Sequence, residues 1–432
     1  MGNMLETFRN AFRLPDLRKR LLFTVFMVIL FRIGGNIPVP GIDRHAFTDL
    51  INRFDQLGTL MDIMSGGALM AVSIFAMGIT PYINSSIIIQ LLTVAIPALE
   101  RLSREGETGR KKIQQIVRVV TVVLALIQAT AFWYATRTAA QTALPTWLSA
   151  LVVIGSFTAG TAVIMWIGEL INAKGIGNGI SIIIFAGIIS RIPKMITGLG
   201  QLIHFWSELH NFLVAIIFAV LCVLLIVLGI LFVLYIQLSE RRIRVQYSQR
   251  VVGNKRYGGQ KSYLPIKVNQ SGVIPVIFAI SLMQIPSLLV SYFWPHSESA
   301  IVRFFMNFGR NPLYYILEGL LIIGFTFFYS MIQFNPVEVA NNMQKNGGFI
   351  AGHRPGMPTA RYLGRVSRRL CWFDGLFLAV ITLLPMIIGT ATGTSGLWFG
   401  GTAIIIIVGV CLDLANQLES QMMMRHYRGF LD

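Results

Sequence analysis

Long apolar runs separated by short polar connections dominate this chain. A helix needs about 20 apolar residues to cross the hydrocarbon core of a bilayer. Ten segments approach that length, at about 21–37, 69–96, 113–134, 150–171, 176–192, 212–238, 273–294, 312–334, 370–388 and 397–414. The pattern therefore predicts an all-α integral membrane protein with ten transmembrane helices.

The second of these segments has a face of mixed character. On an ideal helix, with about 100° per residue, Ile79, Ile83, Ser86 and Gln90 fall within roughly 60° of one another. This face changes from branched apolar to polar along its length. Such a change is typical of a helix that lies beside a cavity, dry at one depth and wet at another.

Composition agrees with a membrane protein, and the placement of charge predicts its orientation. The chain is 54% hydrophobic, with a mean hydropathy of +0.66 and a formal charge of +17. With ten spans, 28 of the 36 Lys and Arg residues lie on the side of the two termini and seven on the other side. Cytoplasmic loops carry the excess of positive charge, so both termini are expected to be cytoplasmic.

Ten spans divide into two sets of five with opposite membrane orientations. That arithmetic is typical of an inverted repeat with a central pathway between its halves. We therefore expect an N-terminal half at about 1–200 and a C-terminal half at about 201–432. The two halves share no visible sequence identity, so the repeat is inferred from topology alone.

Two predicted cytoplasmic loops, 239–272 and 335–369, are longer than helix connections usually are. The first has strand-forming stretches around a glycine-rich turn and predicts a protruding hairpin. The second has Pro and Gly breakers throughout. Both are basic, which favours docking of an acidic partner or of phosphates. The simpler alternative is that the charge only fixes the orientation.

The sequence offers little chemistry inside the membrane. No histidine lies in the middle of a span, and no nucleotide-binding loop, zinc-protease motif or nucleophile elbow is found. The cysteines Cys222, Cys371 and Cys411 lie in apolar runs and are expected to be small buried hydrophobes. We therefore predict no catalytic residue, no metal site and no cofactor.

Five charged residues lie within or at the edges of the predicted spans. Charge at mid-membrane is costly, so each is expected to be a satisfied charge at the end of a helix. The five are Arg32, Glu169, Glu318, Asp374 and Asp413.

Several motifs, taken in order along the chain, resemble the SecY family, whose members are channel subunits of bacterial protein-translocation complexes. They are FRIGGNIPVPGID (31–43), SIFAMGITPYINSS (73–86), GIGNGISIII (175–184), GVIPVIF (272–278), FNP (334–336) and RPG (354–356). The resemblance covers nearly the whole chain. It implies two pseudo-symmetric five-helix halves around a central hourglass pore.

The resemblance also implies a ring of apolar residues at the pore constriction, made of Ile79, Ile83, Ile184, Ile188, Ile277 and Ile406. Branched apolar side chains at a narrow neck resist wetting and exclude ions. Four consecutive isoleucines (404–407) leave the register of the last member open. Without the resemblance, ordinary helix packing explains each isoleucine more simply.

A plug and a lateral gate are implied in the same way. The plug corresponds to about 58–71, with a flexible hinge at Ser65, Gly66 and Gly67. The gate lies between the second and third spans on one side and the seventh and eighth on the other. Its implied residues are Thr80, Asn84 and Gln90, together with Pro275 and Pro286 as bending points.

The implied function is a passive, gated channel in the bacterial cytoplasmic membrane. It would translocate unfolded, signal-bearing polypeptides and release transmembrane segments sideways into the phospholipid bilayer. The implied partners are the SecE and SecG membrane subunits, the SecA motor ATPase and the ribosome. The docking residues would be Arg241, Arg242, Arg250, Arg256, Arg354 and Arg361. The alternative function is a ten-span transporter of small solutes.

Overall fold

The fold is described from a computed structural model. It describes residues 12, 14–42, 47, 62, 65–136, 145–193, 212–247, 250–252, 255–257, 261–293, 299, 302, 304–305, 308, 311–392 and 401–428. The predicted division between the halves, at about 200–211, lies outside these residues.

Helices make up most of the described chain. In order they are α1 (Pro15–Gly34), α2 (Thr80–Ala95), α3 (Pro97–Arg104), α4 (Glu107–Thr136), α5 (Thr146–Lys174), α6 (Gly179–Ile189), α7 (Phe212–Leu238), α8 (Ile274–Phe293), α9 (Pro312–Gln333), α10 (Pro336–Lys345), α11 (Met357–Thr392) and α12 (Gly401–Arg428). Each of the ten predicted apolar segments overlaps one of these helices, which confirms the mainly helical fold.

Membrane-crossing capacity can be judged from length and composition. Within the described residues, α4, α5, α9, α11 and α12 each contain a window that is long and apolar enough to cross a membrane. The bent pair α2–α3 would make a sixth. The chain is thus a membrane protein with several apolar helices, and the count of ten spans stays a prediction.

The helices fall into two groups with a shared interface. In the first group, α4 packs against α2 and α5, while α1 and α6 pack against α5. In the second, α9 packs against α8 and α11, and α7 packs against α12. The groups meet where α8 contacts α2 and α4, and where α12 contacts α6. This interface contains the candidate site.

The second predicted span differs from its sequence prediction. The helix begins only at Thr80, and the segment from Ser65 to Ile79 is a series of turns with one isolated antiparallel bridge, between Ser73 and Pro38. Gly78 has a φ of 57°, a left-handed conformation that ends any continuous helix before α2. The prediction of a helical segment over 69–96 is therefore wrong for its first part.

A sharp bend separates α2 from α3. Ile96 is extended, with φ −107° and ψ 114°, because the residue before a proline is disfavoured in helical conformation. Pro97 then begins α3, whose axis is turned by 101° from that of α2. Leu99 and Leu102 on α3 are half-buried, while Arg101 and Arg104 are exposed.

The two long loops fold together. The first forms the predicted hairpin, in which β1 (Glu240–Tyr247) pairs antiparallel with β4 (Lys261–Lys267). A smaller hairpin, β2 (Arg250–Val252) with β3 (Lys255–Tyr257), lies between them. From the second loop, β5 (Gly348–Phe349) adds a third strand beside β1.

The second loop is more regular than its Pro and Gly content suggested. It contains α10, β5 and the first turns of α11. Apolar residues from both loops form one buried cluster: Ile243, Val245, Ile266, Ala340, Met343, Ile350, Ala360 and Leu363. We call this unit, β1–β5 with α10 and the start of α11, the docking module.

Candidate functional site

The six isoleucines predicted for the pore ring lie in one apolar cluster between the two groups of helices. Ile79, Ile83, Ile184, Ile188 and Ile406 are buried members, and Ile277 is partly buried against them. They come from four places, namely the start of α2, α6, α8 and α12. We call these six residues the isoleucine ring.

Local backbone geometry positions the first two members. Ile79 is the N-cap residue of α2, with φ −93° and ψ 0°. The backbone N–H of Ile83 donates to the carbonyl of Ile79 at 3.1 Å, so the two side chains lie one turn apart on the same face. The predicted relation between Ile79 and Ile83 is therefore retained, although Ile79 caps the helix.

On α6, a side-chain cap fixes where the helix begins. The Asn178 side chain accepts a hydrogen bond from the backbone N–H of Ile180 at 3.1 Å, as an N-cap residue commonly does. Ile184 and Ile188 follow on one face, four residues apart. Their exposed fractions are 4% and 3%.

The structure separates the four consecutive isoleucines of α12. Ile404 and Ile405 belong to a second cluster with α7, α8 and α11. Ile406 belongs to the same cluster as the rest of the ring, and Ile407 is partly buried against that cluster. The sequence left this register open, and the packing favours Ile406, with Ile407 as its neighbour.

The predicted plug hinge is a tight turn held by many hydrogen bonds. Gly66 and Gly67 have φ values of 69° and 89°, which explains why glycine occupies both positions. A side chain on Gly66 would place its Cβ 2.7 Å from the Cα of Gly187 on α6, so the two backbones are in direct contact. On Gly67, a Cβ would meet nothing within 4 Å.

Two cations hold this turn from neighbouring helices. Arg191, just past α6, forms an ion pair with Asp62 at 2.9 Å between Nη2 and Oδ2, and Asp62 is fully buried. Arg32, near the end of α1, donates to the carbonyl of Gly66 at 2.9 Å. The Ser190 hydroxyl reaches the same carbonyl at 3.2 Å. Sequence reasoning missed the Asp62–Arg191 pair because its members are distant in the chain.

Asp62 also organises the turn from within. Its Oδ1 accepts the backbone N–H of Met70 at 2.9 Å, and its carbonyl accepts the N–H of Gly67 at 2.8 Å. The Ser65 hydroxyl donates to the Asp62 carbonyl at 3.1 Å. We call Asp62 with 65–72 the plug turn. The predicted hinge at Ser65, Gly66 and Gly67 is not directly followed by a helix, because α2 begins only at Thr80. The rest of the predicted plug, 58–61 and 63–64, lies outside the described residues.

The predicted gate residues of α2 differ in their surroundings. Thr80 and Asn84 are half-buried, whereas Gln90 is exposed. The Gln90 side chain is hydrogen-bonded to that of Tyr329 on α9, across the boundary predicted for the lateral gate. Buried Ser85 instead bonds the Thr121 hydroxyl on α4 at 2.5 Å and joins two helices of the first group.

The two predicted bending points of α8 are not equivalent. Pro286 lies inside the helix, as the prediction requires. Pro275 is the second residue of α8, where a proline fits because the first N–H groups have no partner within the helix. The prediction of a bend at Pro275 is therefore wrong, and that residue marks the beginning of the helix.

The predicted docking arginines lie on the docking module. Arg241 and Arg242 are exposed on β1. Arg354 and Arg361 are exposed at and just after the turn that leads into α11. The remaining two, Arg250 and Arg256, belong to the β2–β3 hairpin, and their side chains lie outside what the structure describes.

Only some of the charged residues in the predicted spans are satisfied charges at helix ends. Glu169 pairs with Arg118 at 2.6 Å, and Arg32 is bound by the plug turn. Glu318 is fully buried, and neither carboxylate oxygen has a hydrogen-bond partner among the described residues, so the expectation is wrong there. Asp374 is also wrongly assigned, because it lies in the interior of the long helix α11.

No metal centre is evident in the part of the chain that the structure describes, since no three His, Cys, Asp or Glu side chains gather there. The arrangement instead offers an apolar neck, a polar turn anchored beside it and a basic module at one end.

Known proteins are similar to this chain in sequence and in fold. The family model described as SecY matches residues 73–415. A protein translocase subunit SecY from Streptomyces galbus is 43% identical, covering 99% of this chain and all of the relative. A SecY structure concerned with how the plug domain stabilises the closed translocation channel has a TM-score of 0.59 at 19% identity, covering 94% of this chain and 92% of that one. Sec61 in a canine ribosome–channel complex has a TM-score of 0.54 at 18% identity, with the same coverage.

Proposed function

The chain belongs to the SecY family, and we propose on that premise that it forms a passive, gated, protein-conducting channel. Unfolded polypeptides pass through the neck formed by the isoleucine ring, and transmembrane segments leave sideways into the bilayer. The observation that carries this proposal is the gathering of all six predicted ring residues in one apolar cluster between two groups of helices. No covalent chemistry is assigned to the chain.

Two seals keep the resting channel closed in this proposal. The ring resists wetting because branched apolar side chains offer water no hydrogen bonds in a narrow passage. The plug turn adds a second barrier, held by Arg32 and Arg191. The ring still yields to a passing polypeptide, because dispersion contacts have no fixed direction.

The lateral gate is proposed at the contact of α2 and α4 with α8 and α9. α8 packs against both α2 and α4, and the Gln90–Tyr329 hydrogen bond joins α2 to α9. These contacts between the two groups of helices are few and partly polar. When the helices separate, contacts with lipid and with a signal sequence can replace them. A transporter of small solutes has no comparable support, since the ring presents no polar group that could bind a solute.

The proposed location is the bacterial cytoplasmic membrane, with both termini and the docking module in the cytoplasm. The charge asymmetry of the sequence supports this orientation. SecE and SecG are the proposed membrane partners, and the SecA motor ATPase and the ribosome the proposed cytoplasmic ones. Exposed Arg241, Arg242, Arg354 and Arg361 suit acidic or phosphate-rich surfaces, since arginine forms bidentate bonds with both.

The channel proposal is tested by crosslinking an arrested, signal-bearing nascent chain to photoreactive residues placed in the protein. Substitutions at Ile83 and Asn84 should crosslink to the nascent chain. Matched positions on lipid-exposed faces, Leu151 on α5 and Tyr235 on α7, should not. Equal labelling at all four positions, or labelling at the two outer positions alone, would rule out a pathway past α2.

Docking is tested by reversing charge on the module. Arg354→Glu and Arg361→Glu should each weaken ribosome binding about tenfold and lower translocation, with normal membrane insertion. Arg101→Glu changes the net charge equally on the same side, outside the module, and serves as the control. If Arg101→Glu weakens binding as much as Arg354→Glu, the attraction is general and the module is not the docking site.

A further inference from the structure

One short segment connects the docking module to α8. Residues 268–273 follow β4 and lead directly into the helix that contributes Ile277 to the ring. The backbone N–H of Val268 donates to the carbonyl of Ser239 at 3.0 Å, which continues the pairing of β4 with the start of β1. We call 268–273 the joint.

The joint is tied to two other helices through Gln270. Its side-chain oxygen accepts the Ser330 hydroxyl of α9 at 2.7 Å and the Ser367 hydroxyl of α11 at 3.1 Å. The Cys371 thiol of α11 donates in turn to Ser330. One glutamine oxygen therefore holds α9 and α11 together at the beginning of α8.

A buried aspartate makes the second attachment. Asp374 of α11 is 1% exposed, and its Oδ2 accepts the Ser271 hydroxyl at 2.8 Å. Its other oxygen, Oδ1, is buried and has no hydrogen-bond partner among the described residues. Among the described residues, no ion pair with Asp374 is found.

A buried carboxylate without a cation costs several kcal/mol unless hydrogen bonds and dipoles offset the loss of water. Here the positive end of the α8 dipole supplies part of that compensation, since the carboxylate lies just before the first turn of the helix. The joint also folds back on itself, because Asn269 accepts the backbone N–H of Gly272 at 2.6 Å. The attachment therefore fixes the beginning of α8 against α11.

We propose that the joint, through the Ser271–Asp374 and Gln270–Ser330–Ser367 contacts, couples the docking module to movement of α8. A partner that tilts the module moves β4, the joint turns about Asp374, and α8 moves away from α2. Asp374 is a positioning residue in this scheme, because it acts through α8 and touches neither partner nor polypeptide. The inference rests on the proposed function and adds to it the route by which docking opens the gate.

The test follows the gate while the ribosome is bound. Cysteines at exposed Leu92 on α2 and Met331 on α9 report the gap between these helices through the rate of bismaleimide crosslinking. Cys222 and Cys411 are first replaced by Ser, and buried Cys371 is kept. The probe is a ribosome with a stalled, signal-bearing nascent chain.

In the otherwise intact protein, ribosome addition should slow the crosslinking reaction about fivefold as the gate opens, equivalent to about 1 kcal/mol of coupling. Asp374→Leu together with Ser271→Ala should abolish this response while ribosome affinity stays within about twofold. The paired change leaves no unsatisfied hydroxyl, so the fold should be retained. Asp374→Asn keeps an acceptor for Ser271 and should retain most of the response.

Glu318→Gln is the matched control, because Glu318 is an equally buried acid of the same half whose carboxylate makes no hydrogen bond to the joint. Its gate response should equal that of the intact protein. The coupling is refuted if the paired variant responds normally, if it loses ribosome binding along with the response, or if Glu318→Gln fails to the same extent. If nascent chains do not label Asn84 and the intact protein shows no gate response, the channel proposal itself has failed. This outcome differs from a failure of the coupling alone, in which the intact protein still responds.

Discussion

The plug turn and the isoleucine ring lie in the same part of the molecule and are built by opposite means. The ring has six apolar side chains from four elements and no directional bond among them. The plug turn contains a buried aspartate and a glycine in backbone contact with α6, and two arginines from outside the turn bind it. The ring can therefore deform and close again. The turn, in contrast, is either bound by Arg32 and Arg191, which we call seated, or released from both.

The difference teaches that the two proposed seals should fail in different ways. Removing one apolar contact from the ring weakens it gradually, since its neighbours repack. Removing one partner from the plug turn leaves a buried charge or carbonyl without compensation, a penalty that falls on the seated state alone. Small changes in the turn should therefore have larger effects than equally small changes in the ring.

The largest effect is expected from Arg191→Gln. This change leaves the fully buried Asp62 carboxylate unpaired, at a cost of about 3–5 kcal/mol to the seated turn. Ion leak through liposomes that contain the variant should rise at least about tenfold, as each 1.4 kcal/mol is worth tenfold in an equilibrium. Ion flux with a membrane-potential dye is the measurement.

Two controls accompany Arg191→Gln. The double change Arg191→Gln with Asp62→Asn removes both charges and should leak less than the single change. Arg118→Gln breaks the more exposed Arg118–Glu169 pair and should leave the leak unchanged. A leak from Arg118→Gln as large as from Arg191→Gln would show a general loss of stability instead of an unseated turn.

A smaller effect is expected from Gly66→Ala, with Gly67→Ala as its matched partner. Both glycines have positive φ, so alanine costs each position about 1 kcal/mol or slightly more in backbone strain. Only Gly66 also meets the backbone of Gly187. The Gly66 variant should thus leak several-fold more than the Gly67 variant. Equal leaks would mean that contact with α6 does not hold the turn.

The smallest effect is expected in the ring itself. Ile406→Thr places a hydroxyl at the neck and should raise ion flux about two- to fivefold, chiefly in the Arg191→Gln background, where the turn no longer masks the ring. Ile404→Thr makes the same chemical change two residues earlier, in the second apolar cluster. Ile404→Thr should leave the ion flux unchanged. A rise in flux would mean that Ile404, and not Ile406, faces the pore.

Much of this architecture follows from the sequence because membrane helices must satisfy their backbone groups internally and be apolar over a fixed length. The apolar runs therefore predicted where helices lie, and the β1–β4 hairpin followed from strand-forming residues around glycine turns. The turns before α2 were missed because their sequence is as apolar as a span. Only the left-handed glycines, Gly66, Gly67 and Gly78, indicate otherwise.

The candidate site was predictable where a motif fixed it and not where distant residues meet. Ile83 and Ile184 were assigned from motif and helix periodicity. No local pattern reveals that Arg191 reaches Asp62, or that Ser271 reaches Asp374, because the partners are separated by more than 100 positions in the chain. Pairings of this kind depend on how helices pack, which periodicity does not encode.

The docking module has a consequence for the order in which the chain is made. Strand β1 completes its sheet with Phe349 and Gly348, about a hundred residues later, and α8 and α9 lie between. A newly made β1–β4 hairpin must therefore wait, with one edge and its apolar face uncovered, until both of those helices have left the ribosome. The surface proposed to receive partners is thus finished only after the proposed gate has been synthesised, so an incomplete chain cannot yet present it.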